Sequence, residues 1–163
     1  MTTAPDPVIE ADDDTPPYAA IINAWLESAL PPAHKMGVTA LEVRPGYAKT
    51  AVPLEGNGNH FGSIYAGVLF TVAEIIGGAL AVASFDTSAF YPLVKDLRIT
   101  FTKPARTDVT AEASLTAGEI ARIAAEADAN GKADYALDAV VADAAGVVVA
   151  TTHGLYQLRA HGK

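Results

Sequence analysis

Residues 56–81 read GNGNHFGSIYAGVLFTVAEIIGGALA, a Gly/Asn-rich loop running into an apolar segment that a single carboxylate, Glu74, interrupts. Alanine and leucine favour a helix over residues 63–84, although the Gly77-Gly78 pair weakens it, and the expected element is one helix of about 33 Å. Its apolar residues lie nearly all round, so it has to be buried on every side. The apolar run, 68–83, is short for a membrane span, and a carboxylate at a bilayer centre costs about 2.5–3.5 kcal/mol. A helix enclosed by its own protein is therefore expected, with no membrane partner.

The flanking sequence supplies what can enclose it. Residues 18–30 space Ile21, Ile22, Trp25, Leu26 and Leu30 as a short amphipathic helix that Pro31-Pro32 ends. Residues 36–44 and 47–54 read as two strands joined by Pro45-Gly46, a hairpin. Four segments with β-type alternation follow, 92–103, 107–116, 132–143 and 147–159, and are expected to form an antiparallel meander. Between the second and third, Ile120, Ile123, Ala124 and Ala127 mark a short helix that ends before Asn130-Gly131. The fold class is α+β: a curved antiparallel sheet wrapped around the long helix, with the helix's remaining face covered by a second subunit.

Composition excludes several functions. The 163 residues suit one domain, expected over 18–159 with a short tail at 160–163, and 50% hydrophobic against 18% charged residues fits a globular chain. With no cysteine there is no disulfide, no thiolate nucleophile and no sulfur-based zinc site. His34, His60, His153 and His161 have no metal-ligand spacing, so no metal is expected. The net charge is −8, of which residues 1–17 carry −5 through Asp6, Glu10, Asp12, Asp13 and Asp14, leaving −3 for the rest. That acidic, proline-spaced stretch reads as a solvated, disordered extension, and so acidic a chain is a poor nucleic-acid partner. Nothing resembles a secretory leader, which makes a cytoplasmic location the expectation. GNGNHFG fails the dinucleotide pattern because Phe61 stands at its third glycine.

Residues 59–74, N-H-F-G-S-I-Y-A-G-V-L-F-T-V-A-E, set in this architecture, resemble the hotdog-fold acyl-CoA thioesterases. The likeness is to the phenylacetate-type branch, whose signature runs Asn-x-x-Gly-x-x-His-Gly-Gly with a carboxylate seven residues after the last glycine. It is similar in particular to a sub-branch of thioesterase-like domains of unknown function in which Tyr-Ala-Gly replaces His-Gly-Gly. Asn59, Gly62 and Gly67 match the signature, Glu74 falls on the catalytic carboxylate, and Tyr65 and Ala66 stand where the branch has His and Gly. The resemblance implies a homodimer or dimer of dimers that hydrolyses an acyl-CoA or related thioester without a cofactor.

The residues can be weighed against that implication. Gly67, Thr71, Glu74, Gly78 and Ala81 share one helix face, along which an acyl or pantetheine chain could run, or which a strand or partner helix could simply approach. Glu74 is costly in an apolar setting unless paired, so it is either half of a structural ion pair or a carboxylate whose pKa burial has raised toward the range of a general base. Direct attack as a nucleophile is an equal alternative. The N–H groups of Ala66 and Gly67 at the helix start would polarise the thioester carbonyl, and Asn59 would orient water or satisfy its own loop. Tyr65 would line the site, and His60, next to Asn59, would either line the substrate side or be structural or exposed. Lys95 interrupts an apolar strand face and either reaches Glu74 or a ligand carbonyl, or extends to solvent. Lys103 and Arg106 either meet CoA phosphates or form an ordinary solvated pair. Two other readings share the fold: a non-catalytic acyl-CoA-binding or regulatory domain, and a dehydratase or hydratase.

Overall fold

The computed structural model describes residues 17–162, so the acidic extension lies outside the described residues except for Pro17, which precedes the first helix. Helix α1 (Tyr18–Ala29) buries Ile22 and Leu26, and Pro31-Pro32 end it by opening a one-turn helix, α2 (Pro31–Lys35). Strands β1 (Thr39–Arg44) and β2 (Tyr47–Val52) form the expected hairpin, with Gly46 at φ +77° in the turn. Helix α3 (Ala66–Ser84) crosses to β3 (Phe90–Phe101), and β4 (Val109–Ser114), α4 (Ala117–Asn130), β5 (Lys132–Asp143) and β6 (Val148–Ala160) complete the chain. α4 is closed at both ends by local chemistry, a Thr116/Glu119 capping box at its start and Gly131 in the left-handed region after it.

The six strands form one antiparallel sheet in the order β1-β2-β4-β5-β6-β3. β4, β5 and β6 are the meander the alternation predicts, but β3 is not its first member. α3 carries the chain across the sheet, so β3 pairs with β6 at the far edge while β4 returns to sit beside β2. The opposite edge, β1, is partly covered: the Asn23 side chain donates to the Ala40 carbonyl at 3.0 Å and accepts from the Ala40 N–H at 2.7 Å, standing in for a seventh strand.

α3 begins three residues later than the sequence suggests and is about 28 Å long, because Ile64 is bridged to Gly58 in an extended lead-in. By length and composition α3 could cross a membrane, yet most of it is buried within this sheet. The concave face meets it with small side chains, Ala48, Ala111, Ala113 and Ala139, which are poor strand formers but let a helix lie close. Buried Thr50 on β2 donates to the Val72 carbonyl at 2.8 Å, tying helix to sheet. One stripe of α3 is not enclosed: Ala66, Phe70, Thr71, Glu74, Gly78 and Val82 are exposed or half-buried. Ala81, expected on this face, is instead 1% exposed, since helical twist carries it to the sheet side and brings Val82 to the open one. β6 runs to Ala160, and the His161 N–H donates to the Ala89 carbonyl, so ordered chain extends past the boundary at 159.

Candidate active site

Glu74 sits half-buried on the open stripe of α3, where it lines a cavity of about 540 Å³ between α1, α3 and β3. Among the described residues its carboxylate has neither hydrogen-bond nor ion-pair partner. Burial alone raises its pKa above the ordinary glutamate value. The structural ion pair is thereby removed as an explanation, since Lys95 is elsewhere. A β-bulge between Val94 and Asp96 leaves Lys95 without a cross-strand partner, interrupts the alternation and turns the lysine away, where its Nζ pairs with Asp134 at 2.7 Å.

Tyr156, a residue that sequence reasoning missed, shares the cavity wall with Glu74. Its ring fits between two glycines: a Cβ on Gly77 would lie 2.1 Å from Tyr156 Cε1, and one on Gly154 would lie 2.5 Å from Cε2. It stacks on Tyr135 with ring centroids 5.7 Å apart. Burial, and secondarily the charge of Glu74, pushes the Tyr156 phenol up to about 12, so it is a neutral donor across the physiological range. Its sequence signal is faint: a tyrosine on the buried parity of a strand, two residues after a glycine that no turn requires.

The start of α3 forms a second cluster. Tyr65 is the N-cap residue and offers no side-chain cap, so the first-turn N–H groups of Ala66 and Gly67 have no acceptor among the described residues. The Tyr65 ring, exposed itself, folds back over Gly67, whose missing Cβ would sit 2.6 Å from Tyr65 Cε1. The Asn59 Oδ1 accepts from the Phe61 N–H at 2.9 Å and from Ser63 N–H and Oγ at 3.3 Å, which commits its oxygen to shaping the loop. Exposed His60 lies against the Phe61 ring, ring centroids 3.9 Å apart and the planes tilted by 41°. Arg106 donates to the Phe61 carbonyl at 3.3 Å, and Ile64 N–H to the Ala105 carbonyl, so the 102–108 crossover is held beside this loop, with exposed Lys103 on the same segment. The Thr71 hydroxyl donates to the Gly67 carbonyl one turn back.

Asn59, Tyr65, Ala66, Gly67 and Arg106 are thus brought together, and Glu74 and Tyr156 are brought together, but the two groups are separate within one chain. Eight residues of helix put about 12 Å of rise between Ala66 and Glu74. A larger concavity of about 630 Å³ on the solvent side of β4 and β5 has Glu112, Glu119 and Asp138 on its walls and none of the predicted site residues.

The raised carboxyl makes a prediction. Folded Glu74 holds its proton to higher pH than it does in the unfolded chain, so the native state binds more protons across that interval and stability contributed by this site falls as pH rises through it. Melting temperatures of wild type and Glu74→Gln measured between pH 4 and pH 8 should diverge in favour of the variant as pH increases. A variant that loses ground with rising pH would show that Glu74 is stabilised in its charged form.

A family model described as a domain of unknown function, DUF4442, matches residues 19–156. A Pseudomonas aeruginosa protein of solved structure, described as of unknown function and a "probable thioesterase", is 42% identical, with a TM-score of 0.82 over 87% of this chain and 95% of that one. A protein of unknown function from Chlorobaculum tepidum is 18% identical at a TM-score of 0.80, covering 86% and 93%. A thioesterase from Haemophilus influenzae is 13% identical at a TM-score of 0.71, covering 89% and 92%. The last two show likeness of fold alone, the helix-in-sheet hotdog arrangement. No functionally curated protein matches the chain.

Proposed function

The chain belongs to the DUF4442 family, and from that premise we propose that it is a thioester hydrolase acting on acyl-CoA or a related thioester, with Glu74 as its base or nucleophile. One observation carries the reading: an unpaired, half-buried carboxylate with a raised pKa stands at the wall of an apolar cavity, on a fold shared with proteins described as thioesterases. In the general-base form Glu74 takes a proton from water, the water oxygen bonds to the carbonyl carbon, and the tetrahedral oxyanion collapses with expulsion of the thiolate. In the nucleophilic form the carboxylate oxygen bonds to the carbonyl carbon, the carbon–sulfur bond breaks to expel the thiolate, and water then cleaves the resulting anhydride to the free acid and the Glu74 carboxylate. Tyr156, a neutral donor beside Glu74, is placed to hold the carboxylate or the attacking water.

The oxyanion needs donors that Glu74's own helix cannot provide at its position, because about 12 Å of rise intervenes. A second copy resolves this when its Ala66 and Gly67 N–H groups approach the first copy's Glu74 across a twofold axis. Two uncovered features favour such a dimer: the edge strand β3, and the open stripe of α3 with half-exposed Phe70. Arg106, with Lys103, would then receive CoA phosphates from the crossover beside the α3 start, and Asn59 would hold the donor loop in shape.

The Tyr65 ring lying over Gly67 favours a second reading, a non-catalytic acyl-CoA-binding or regulatory domain whose donors the ring covers. Thiol release from a panel of acyl-CoAs separates the two. Turnover in the ordinary range for enzymes, about 1 s⁻¹ or above, is expected of the hydrolase; binding of CoA esters with no thiol released would leave only the second reading.

A further inference from the structure

We infer that the groove between α1, α3 and β3 is an acyl-chain site that selects aliphatic chains of about eight to ten carbons, its far end closed by His161. This rests on the thioester reading above and goes beyond it by naming the acyl class.

Three observations define the groove. Its polar groups lie at the two ends. Glu74 and Tyr156 mark one, and Thr87, Tyr91 and His161 mark the other, where His161 Nε2 bonds the Thr87 carbonyl at 3.1 Å and its ring lies 5.2 Å from that of Tyr91. Between them the walls are apolar, with Ile22 and Trp25 from α1, Ala79 and Val82 from α3, and Phe90 and Leu93 from β3. From Glu74 to Val82 the helix rises about 12 Å, and an extended alkyl chain advances about 1.25 Å per carbon, which sets the length. The 540 Å³ volume lies within the usual range of small-molecule sites.

Gly78 supplies the second observation. A Cβ there would meet nothing within 4 Å, although its neighbour Gly77 has no spare room, so the helix backbone forms an open slot midway along the groove. Trp25 supplies the third, since it is 49% exposed on the groove wall instead of packed into the core. A chain attached to a carbonyl at Glu74 would lie in the slot and cover the indole. A short aromatic acyl group would fill only the Glu74 end.

Binding of non-hydrolysable acyl-CoA thioethers from two to sixteen carbons tests the assignment on the full-length protein, alongside thiol release from the matching thioesters. Affinity should rise roughly fourfold per methylene and level off at about eight to ten carbons. Gly78→Leu should move the plateau about four carbons shorter, and His161→Ala should move it longer. Binding that follows this pattern with no turnover would refute hydrolysis while leaving the groove assigned. A flat series, a preference for phenylacetyl over octanoyl, or plateaus unmoved by both substitutions would overturn the groove whatever the turnover.

Discussion

Glu74→Gln should lower kcat/KM for thioester hydrolysis by about 10³-fold, within the usual value of a general base, while leaving the protein folded. The amide keeps the side chain's shape but can neither take a proton from water nor attack the carbonyl. The fold has no reason to object: the carboxylate has no partner among the described residues, and its ionised form is disfavoured by burial. Thiol release and thermal unfolding on the same preparation check both halves. A rate within tenfold of wild type would remove Glu74 from the chemistry. A partner substitution extends the test to the second copy. Ala66→Pro deletes one helix-start N–H at a position where proline is tolerated, and Tyr65 already has the extended ψ of 137° that precedes proline readily. Each variant alone should be inactive, whereas mixing them with subunit exchange should restore on the order of a quarter of the wild-type rate, because each mixed dimer contains one intact pairing of carboxylate and donors. No recovery would mean that both groups act within a single chain.

Gly77→Ala should destabilise the protein by about 2–3 kcal/mol, against the usual preference for alanine in helices of about 1 kcal/mol. The added methyl would lie 2.1 Å from Tyr156 Cε1 and 2.6 Å from Cζ, and the ring has no retreat, with Gly154 behind it and Tyr135 stacked on it. At this chain length the loss corresponds to a melting temperature lower by roughly 4–12 °C. Gly78→Ala, one residue on and open to space, is the control and should gain the helical preference. Opposite signs at adjacent glycines are the signature sought by thermal unfolding; equal stability of both variants would mean that the Tyr156 ring lies elsewhere.

Local chemistry explains which parts of this protein were legible in its sequence. The long helix, the β1/β2 hairpin and α4 are written in apolar spacing, Pro45-Gly46 and the Asn130-Gly131 stop, all within a few residues of what they specify. The position of β3 is not, because pairing with β6 instead of β4 is decided by where α3 delivers the chain, and no residue of β3 encodes it. Lys95 misled through strict alternation, which one inserted residue in the strand breaks. Glu74 was legible as an anomaly, a charge in an apolar run. Its distance from Ala66 was equally legible as helical rise, but motif spacing groups residues that three dimensions hold apart. Tyr156 was hidden because its pocket is made by absences, the side chains that Gly77 and Gly154 lack.

The strand order also sets when the core can close. Phe101 pairs with Ala150 and Phe90 with Ala160, so β3 has no partner until almost all of the described chain exists. A ribosome would therefore release α3, apolar enough to cross a bilayer, well before β5 and β6 emerge to complete the concave wall. Distant pairings of this kind slow folding and prolong the exposure of sticky surface. For the nascent chain, the most vulnerable interval is the synthesis of residues 102–160, and the carboxylate at the centre of α3 makes that waiting helix a poorer membrane insert.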